Sequence, residues 1–256
     1  MLNRINKKLQ ASKKLLSIYF TAGYPLLNDT INILKSLQES GVDMVEIGMP
    51  FSDPLADGPT IQNSGSIALK NGMTTKLLFK QLKNIRKEIE IPLILMGYLN
   101  PILQFGIENF CKACAEVGID GVIIPDLPVI EYNEKYQVIF ESYKLINIFL
   151  ITPQTSDKRI RFIDKISKGF IYMVSTASTT GGRDSFSKEQ TTYFKRIANM
   201  RLNTPQVVGF GISNNKTFNQ ATKYTKGAII GSAFIKNLTD KGIEHIPSFI
   251  KKIRNT

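Results

Sequence analysis

Two acidic residues, Glu46 and Asp57, lie in a segment that can support acid–base chemistry, reading VEIGMPFSDPLADGPTIQ over 45–62. Glu46 interrupts an apolar run that predicts a buried strand, so we expect burial to raise the pKa of its carboxyl toward neutrality. Asp57 follows on a loop rich in proline, where we expect a polar setting to keep it ionised. Two carboxyls in different environments suit proton transfer and the binding of a positive or N–H group.

A purely structural interpretation of these acids is open at this point. Asp-Pro and Asp-Gly pairs terminate turns routinely, and Glu46 could cap or pair within the fold. The position of Glu46 inside an apolar run is the unusual observation, and it favours a catalytic site.

The elements around this segment repeat one pattern, a short apolar run followed by an amphipathic helix. The apolar runs are 15–20, 45–48, 92–96, 121–124, 147–151, 170–174, 206–210 and 227–230. A further segment with helical spacing precedes the first run and is expected to cover one end of the domain. Eight such units predict a parallel sheet closed as a (β/α)8 TIM barrel, with extra N-terminal and loop helices. An open doubly wound sheet is the alternative, although no G-x-G-x-x-G follows the first run.

Length and composition agree with one domain of this kind. The 256 residues predict a single domain over 1–256, and 43% hydrophobic residues suffice for a packed core. The sequence has no apolar run of the roughly 20 residues that cross a bilayer, and the start MLNRINKKLQ lacks the apolar core of a signal peptide. We expect a soluble cytoplasmic protein without membrane association.

The net charge of +12 raises the possibility of nucleic-acid binding. The basic residues are scattered, in pairs such as Lys7-Lys8 and Lys251-Lys252, without a long basic tract. We therefore expect solvated surface charge and no nucleic-acid partner, although the charge could attract anionic substrates.

Cys111 and Cys114 form the one C-x-x-C of the sequence. A structural zinc site normally needs four ligands, so no metal is expected. Helical spacing places Phe110 on the same face as both cysteines, which predicts reduced thiols in a helix core rather than a redox pair.

The loops after the last two apolar runs are suited to binding phosphate. In barrels of this kind phosphate is often held after strands seven and eight, and here those loops open with Gly211-Ile212-Ser213 and Gly231-Ser232. Glycine lets backbone N–H groups approach an oxyanion closely, and a helix start adds partial positive charge. The two loops predict a phosphate cradle without a lysine, whereas each glycine alone could simply make a tight turn.

The segment 45–62 closely resembles the signature of the tryptophan synthase alpha subunit family through nearly all of its positions. Further segments resemble that family, namely FTAGYP at 20–25, FIYMVS at 170–175, GFGIS at 209–213 and IIGSAF at 229–234. The resemblance covers essentially the whole chain. It implies a lyase of tryptophan biosynthesis that cleaves indole-3-glycerol phosphate to indole and glyceraldehyde 3-phosphate by a retro-aldol reaction.

The resemblance also implies roles at the matching positions. Glu46 and Asp57 would be the catalytic pair, with Glu46 acting alternately as acid and base and Asp57 accepting the indole N–H. The indole pocket would be lined by Phe20, Tyr172 and Phe210. The phosphate would be bound by Gly181, Gly211, Gly231 and Ser232, with Thr180 and Gly181 in the closing lid. On residue type alone, such aromatic residues are more often plain core.

A partner and its cofactor are implied in the same way. Members of the family work in an α2β2 heterotetramer with the tryptophan synthase beta subunit, which carries pyridoxal phosphate, and the alpha subunit requires neither metal nor cofactor. The loop 50–57 and the lid would be the communicating elements.

Two departures from the family pattern leave alternatives open. The polar loop 175–187, STASTTGGRDSFS, predicts a mobile lid, but it lacks an arginine and a glycine of the family's S-R-x-G-V-T-G. Thr225-Lys226-Gly227 replaces an Ala-Asp-Gly. The alternatives are a phosphosugar isomerase or stand-alone indole-releasing lyase on the same barrel, a catalytically feeble scaffold that activates the beta subunit and, more distantly, a nucleic-acid-binding protein.

Overall fold

The computed structural model describes residues 3–175 and 185–254. The strands are β1 (Leu15–Thr21), β2 (Met44–Gly48), β3 (Leu93–Met96), β4 (Gly121–Ile123), β5 (Ile146–Ile151), β6 (Ile171–Val174), β7 (Gln206–Gly209) and β8 (Gly227–Ile230). Each strand pairs in parallel with the next along the chain, and β1 pairs with β8 to close the barrel. The (β/α)8 prediction is confirmed, and the open-sheet alternative is wrong.

Helices surround the barrel, and all except the N-terminal one follow a strand. They are α1 (Arg4–Ala11), α2 (Asp29–Glu39), α3 (Pro59–Lys70), α4 (Thr75–Leu82), α5 (Leu99–Phe105), α6 (Ile107–Val117), α7 (Val129–Glu131), α8 (Gln137–Ser142), α9 (Asp157–Ile166), α10 (Lys188–Asn199), α11 (Asn215–Ala221), α12 (Ser232–Lys241) and α13 (Ile246–Arg254). A π-helical turn, Tyr132–Tyr136, joins α7 to α8, and 3₁₀ turns lie at Ile85–Lys87 and Ile243–His245.

One boundary differs from the sequence pattern. The segment 97–102 reads as a loop because it contains Gly97 and Pro101, but α5 begins at Leu99. Pro101 falls in the first turn of that helix, where its missing N–H would have no intrahelical acceptor, so the helix tolerates it.

Alternation along the strands divides the apolar side chains into an inner cluster inside the barrel and an outer cluster between barrel and helices. On β2, Met44 belongs to the inner cluster, whereas Val45 and Ile47 belong to the outer one. Glu46 therefore points into the barrel, on the face that carries Met44. This orientation brings a carboxyl into the apolar interior, as the sequence predicted.

The N-terminal helix closes one end of the barrel. Ile5 and Leu9 on α1 pack in the inner cluster, which confirms the predicted role of this segment. Asp120, only 3% exposed, fastens the helix because its carboxylate accepts hydrogen bonds from Arg4, at 3.0 Å, and from Arg86. The barrel therefore opens at the other end, where the carboxyl ends of the strands meet.

Two further predictions can be compared with the described residues. Cys111 and Cys114 are buried on α6 as free thiols, which confirms the predicted helix core. Among the helices described, none is long and apolar enough to cross a bilayer.

Candidate active site

A cavity of about 620 Å³ lies at the carboxyl ends of the strands. The predicted site residues that line it are Asp57, Tyr172, Phe210, Gly211, Gly231 and Ser232. They come from β6 and from the loops after β2, β7 and β8, so residues far apart in the sequence meet around one space.

Glu46 lies in the barrel interior beside this cavity, fully buried on β2. Its Oε1 accepts a hydrogen bond of 3.1 Å from the Ser17 hydroxyl, while its Oε2 has no partner among the described residues. Burial raises the pKa of the Glu46 carboxyl to about 8, and the hydrogen bond from Ser17 acts in the opposite direction. The carboxyl is thus largely protonated at neutral pH, and one of its oxygens is buried without a hydrogen-bond partner among the described residues.

Phe20 does not line the cavity, contrary to the sequence prediction. Its side chain packs in the outer cluster, between the barrel and the helices, whereas the neighbouring Tyr19 points inward and lines the cavity. Successive side chains of a strand face opposite sides, so the two residues cannot share a role. The aromatic residue that β1 contributes to the site is Tyr19.

Asp57 lies half-buried at the cavity edge, just before Pro59 begins α3. Its Oδ2 accepts a hydrogen bond of 2.9 Å from the Tyr98 hydroxyl. Burial raises the pKa of Asp57, and the hydrogen bond from Tyr98 lowers it. Its setting is therefore less polar than the sequence predicts, although the bond from Tyr98 favours the carboxylate.

Tyr172 and Phe210 form an aromatic wall of the cavity, with ring centroids 6.3 Å apart at 70°. Burial, together with the charges of Glu46 and Asp57, raises the pKa of the Tyr172 hydroxyl, so this residue stays neutral. Both acids interact electrostatically with Tyr172, so a flat apolar ligand held against this ring would lie near both of them.

The loops after β7 and β8 also line the cavity, through Phe210, Gly211, Gly231 and Ser232. Phe210 and Gly211 both have positive φ, 67° and 74°, which for Phe210 is an uncommon backbone conformation. Gly231 and Ser232 lie at the start of α12, where the first N–H groups of a helix have no intrahelical acceptor. The positive end of α12 thus borders the cavity, and the phosphate cradle of the two glycine loops stays a prediction.

Three residues of the site were missed from the sequence. They are Tyr19, Tyr98 and Lys236, which lines the cavity one helical turn after Ser232. Ser17 and Tyr19 were available as a signal, because they are two apart in an otherwise apolar run and so share a face. Lys236 therefore lies beside the predicted phosphate cradle, which was predicted without a lysine.

Thr180 and Gly181 lie outside the described residues. The same is true of most of the predicted lid, since 176–184 are not described. Their roles stay predictions.

No cluster of three or more His, Cys, Asp or Glu side chains within 3–175 and 185–254 is arranged to hold a metal ion. In and beside the cavity lie a buried carboxyl, a second carboxyl that accepts a hydrogen bond, aromatic side chains and the first turn of a helix. Together these can transfer a proton to and from an aromatic ligand that carries an anionic group at its far end.

The model of one protein family, described as tryptophan synthase alpha chain, matches residues 5–255. The chain belongs to the tryptophan synthase alpha chain family. The tryptophan synthase alpha chain of Flavobacterium psychrophilum is 66% identical over 252 residues, covering 98% of this chain and all of that one. The crystal structure of tryptophan synthase subunit alpha from Legionella pneumophila superposes with a TM-score of 0.90 at 32% identity, over 100% of this chain and 98% of that chain.

A structure of Mycobacterium tuberculosis tryptophan synthase also superposes with a TM-score of 0.90, at 28% identity, over 100% of this chain and 98% of that chain. The tryptophan synthase alpha fold thus extends over the whole described barrel.

Proposed function

We propose that this chain is a tryptophan synthase alpha subunit that cleaves indole-3-glycerol phosphate to indole and glyceraldehyde 3-phosphate. The observation that carries the proposal is the buried Glu46, with one oxygen unpartnered and a pKa of about 8, beside a cavity edged by Asp57. A carboxyl with this pKa can both give and take a proton near neutral pH.

The reaction needs two proton movements, and Glu46 serves both. The protonated carboxyl first delivers its proton to the indole carbon that bears the glycerol chain, and the ring nitrogen becomes positively charged. Asp57 accepts the indole N–H through the oxygen that Tyr98 leaves free, which stabilises this charge.

The second movement breaks the carbon–carbon bond. The Glu46 carboxylate accepts the proton of the hydroxyl next to the ring, that oxygen becomes the aldehyde oxygen, and the electrons of the broken bond neutralise the ring nitrogen. Glu46 ends protonated, so the protons balance over one turnover. Because Glu46 faces Ser17 in the present structure, its side chain must turn toward the cavity before it acts.

Substrate binding follows from the two ends of the cavity. The indole lies against Tyr19, Tyr172 and Phe210, and the phosphate is bound by the N–H groups around Gly211 and at the start of α12. No step requires a metal or cofactor in this chain. Thr180 and Gly181, which lie outside the described residues, stay the predicted lid residues.

The chain assembles with a beta subunit, in the cytoplasm, in an α2β2 complex whose pyridoxal phosphate belongs to that partner. Exposed apolar side chains that follow β2, β3 and β4 at the open end of the barrel support such a contact, namely Leu55 on a loop (95% exposed), Leu103 on α5 and Ile130 on α7. Leu55 lies in the loop 50–57 that also carries Asp57, so partner contact and catalysis share a segment.

The test is indole release from indole-3-glycerol phosphate by the purified chain, with and without a beta subunit. We expect slow release that rises strongly with the partner, and loss of release in Glu46→Gln. Glu39→Gln, an exposed glutamate on α2, is the matched control and should equal the parent.

Two outcomes would reject parts of the proposal. Normal turnover by a folded Glu46→Gln protein would remove Glu46 from the mechanism. No release by the parent in either condition would leave the scaffold alternative ahead.

A further inference from the structure

The loop that carries Asp57 has little regular structure of its own. Between Asp53 and Gly58 its backbone bonds are short-range, from Leu55 N–H to the Asp53 carbonyl at 3.0 Å and from Asp57 N–H to the Pro54 carbonyl at 3.2 Å. Contacts of this kind close turns but do not orient a side chain relative to the barrel. Gln62 on α3 also donates to the Asp57 carbonyl, at 2.9 Å, but a bond to the backbone does not orient the carboxylate. The position of the Asp57 carboxylate therefore depends on a group from another part of the chain.

That group is Tyr98, the residue that precedes α5 in the loop after β3. Its side chain is only 7% exposed, and its ring packs against Phe51 with centroids 5.2 Å apart. The following residue is held as well, since Leu99 N–H donates to Asp126 in the loop after β4 at 2.9 Å. Tyr98 is thus fixed on both its ring and its backbone side.

The hydroxyl of Tyr98 makes two hydrogen bonds to the catalytic loop, and their directions are determined. The Ala56 N–H can only donate, so the Tyr98 oxygen accepts it, at 3.0 Å. The single proton of the phenol is then donated to Asp57 Oδ2, at 2.9 Å. Asp57 Oδ2 therefore already accepts one hydrogen bond, whereas Oδ1 accepts none within the described residues and is the better placed to receive a donor from a ligand.

We propose that Tyr98 is the positioning residue of Asp57, binding the backbone and the carboxylate of the catalytic loop through one hydroxyl so that a single carboxylate oxygen faces the substrate N–H. The inference rests on the proposed role of Asp57. The hydrogen bond from Tyr98 stabilises the ionised form of Asp57, because a carboxylate accepts it more strongly than a carboxylic acid does.

The electrostatic surroundings allow this role to be measured through the pH dependence of the reaction. Besides Tyr98, the titratable groups that interact with Asp57 are Tyr19 from β1 and Tyr172 from β6, and Glu46 on β2 in turn interacts with both. Burial raises the pKa of all three tyrosines, so they stay neutral through the working range. Loss of the Tyr98 hydroxyl should therefore raise the pKa of Asp57 itself.

The experiment compares the full-length parent, Tyr98→Phe and Tyr193→Phe, with a beta subunit present, by kcat/KM for indole-3-glycerol phosphate across pH. Tyr193 is the matched control, a buried tyrosine that donates a 3.2 Å bond to the Ile151 carbonyl and does not line the cavity. For Tyr98→Phe we expect a roughly ten- to hundredfold loss of kcat/KM and an acidic limb displaced to higher pH, since bonds to charged groups are worth about 1.5–3 kcal/mol. Tyr193→Phe should keep the parent's limb.

A folded Tyr98→Phe protein with the parent's activity and the parent's acidic limb would overturn the inference, and so would a loss of activity with an unmoved limb. If Tyr98→Phe does not fold, Tyr98→His and Tyr98→Leu replace it. The histidine retains an N–H donor, so it should be more active than the leucine variant, and equal activity would count against the role. An inactive parent would instead reject the proposed function, which keeps the two failures distinct.

Discussion

The hydroxyl of Tyr172 lies directly over the α-carbon of Gly209 on the neighbouring strand β7, so closely that a Cβ at that position would overlap it. Tyr19 has the same relationship to Gly48 on β2. In both pairs a glycine at the carboxyl end of one strand makes room for a tyrosine that lines the cavity. The positions of Tyr172 and Tyr19 in the cavity therefore depend on a glycine in the neighbouring strand.

Gly209→Ala tests this relationship. The added methyl group must displace Tyr172, so we expect a large loss of indole release and a destabilisation of about 1–3 kcal/mol. Gly65→Ala on α3 is the matched control, because a Cβ there meets nothing within 4 Å, and it should be neutral or stabilising by up to about 1 kcal/mol. Indole release and urea unfolding of both variants provide the measurement, and equal behaviour of the two would contradict the packing argument.

Glu46 should make the stability of the protein depend on pH. Its pKa is about 8 in the folded state and about 4.5 without burial, so between these values the folded state holds a proton that the unfolded state has lost. Stability therefore falls as pH rises through this window, by up to about 1.4 kcal/mol per pH unit from this group.

Glu46→Gln removes this titration and should be more stable than the parent at pH 8 by a few kcal/mol, with a smaller difference at pH 5. Urea midpoints at the two pH values measure the effect, and Glu39→Gln should follow the parent. A constant difference between parent and Glu46→Gln across the window would show that Glu46 does not carry the raised pKa.

The raised pKa of Glu46 should also be visible in the pH dependence of the reaction rate. Because Glu46 begins the reaction as an acid, kcat/KM should decline above a pH of about 8, approaching tenfold per pH unit. Assays above pH 7 avoid titration of the substrate phosphate, whose second pKa is about 6. A rate that stays level from pH 7 to 10 would mean that the protonated carboxyl is not the starting form.

Lys236 should contribute to binding of the phosphate group only. Its side chain lines the cavity beside the start of α12, so Lys236→Met is expected to raise the KM for glyceraldehyde 3-phosphate several-fold in the reverse reaction with indole. The same reaction with unphosphorylated glyceraldehyde should be unaffected. Lys241→Met, at the last residue of the same helix, is the control. Equal effects on both aldehydes would assign Lys236 a structural role.

The fold and the burial of Glu46 could be predicted because both depend on local patterns. Each apolar run predicts a strand. The residues flanking Glu46 are themselves apolar, so its burial can be predicted from its sequence neighbours. The helix start at Pro59 is equally local, since proline suits the first turn. These features need no knowledge of which strands meet.

The orientation of β1 could not be read in this way. All seven of its residues are buried, so the strand lacks the alternation that would separate its inner from its outer face. The burial pattern therefore could not correct the family resemblance, which implies Phe20 where the structure has Tyr19. A shift of one residue along a strand exchanges the two faces completely.

Tyr98 and Lys236 were missed for a different reason. The bond between Tyr98 and Asp57 joins residues 41 positions apart and depends on how two irregular loops approach each other. Whether Lys236 faces the cavity or the solvent depends on the angle at which α12 leaves β8. Neither the approach of the two loops nor the angle between β8 and α12 can be predicted from the spacing of residues.

The two ends of the barrel treat buried charge in opposite ways. At the closed end, the Asp120 carboxylate is satisfied by Arg4, Arg86 and a backbone N–H, and it fastens α1 to the barrel floor. At the open end, Glu46 is buried with an oxygen unsatisfied, which weakens the fold whenever the carboxyl ionises. The fold can tolerate this destabilising carboxyl because the contacts of Asp120 stabilise the opposite end of the barrel. Substitutions at the open end can therefore change the chemistry while the contacts of Asp120 stay intact.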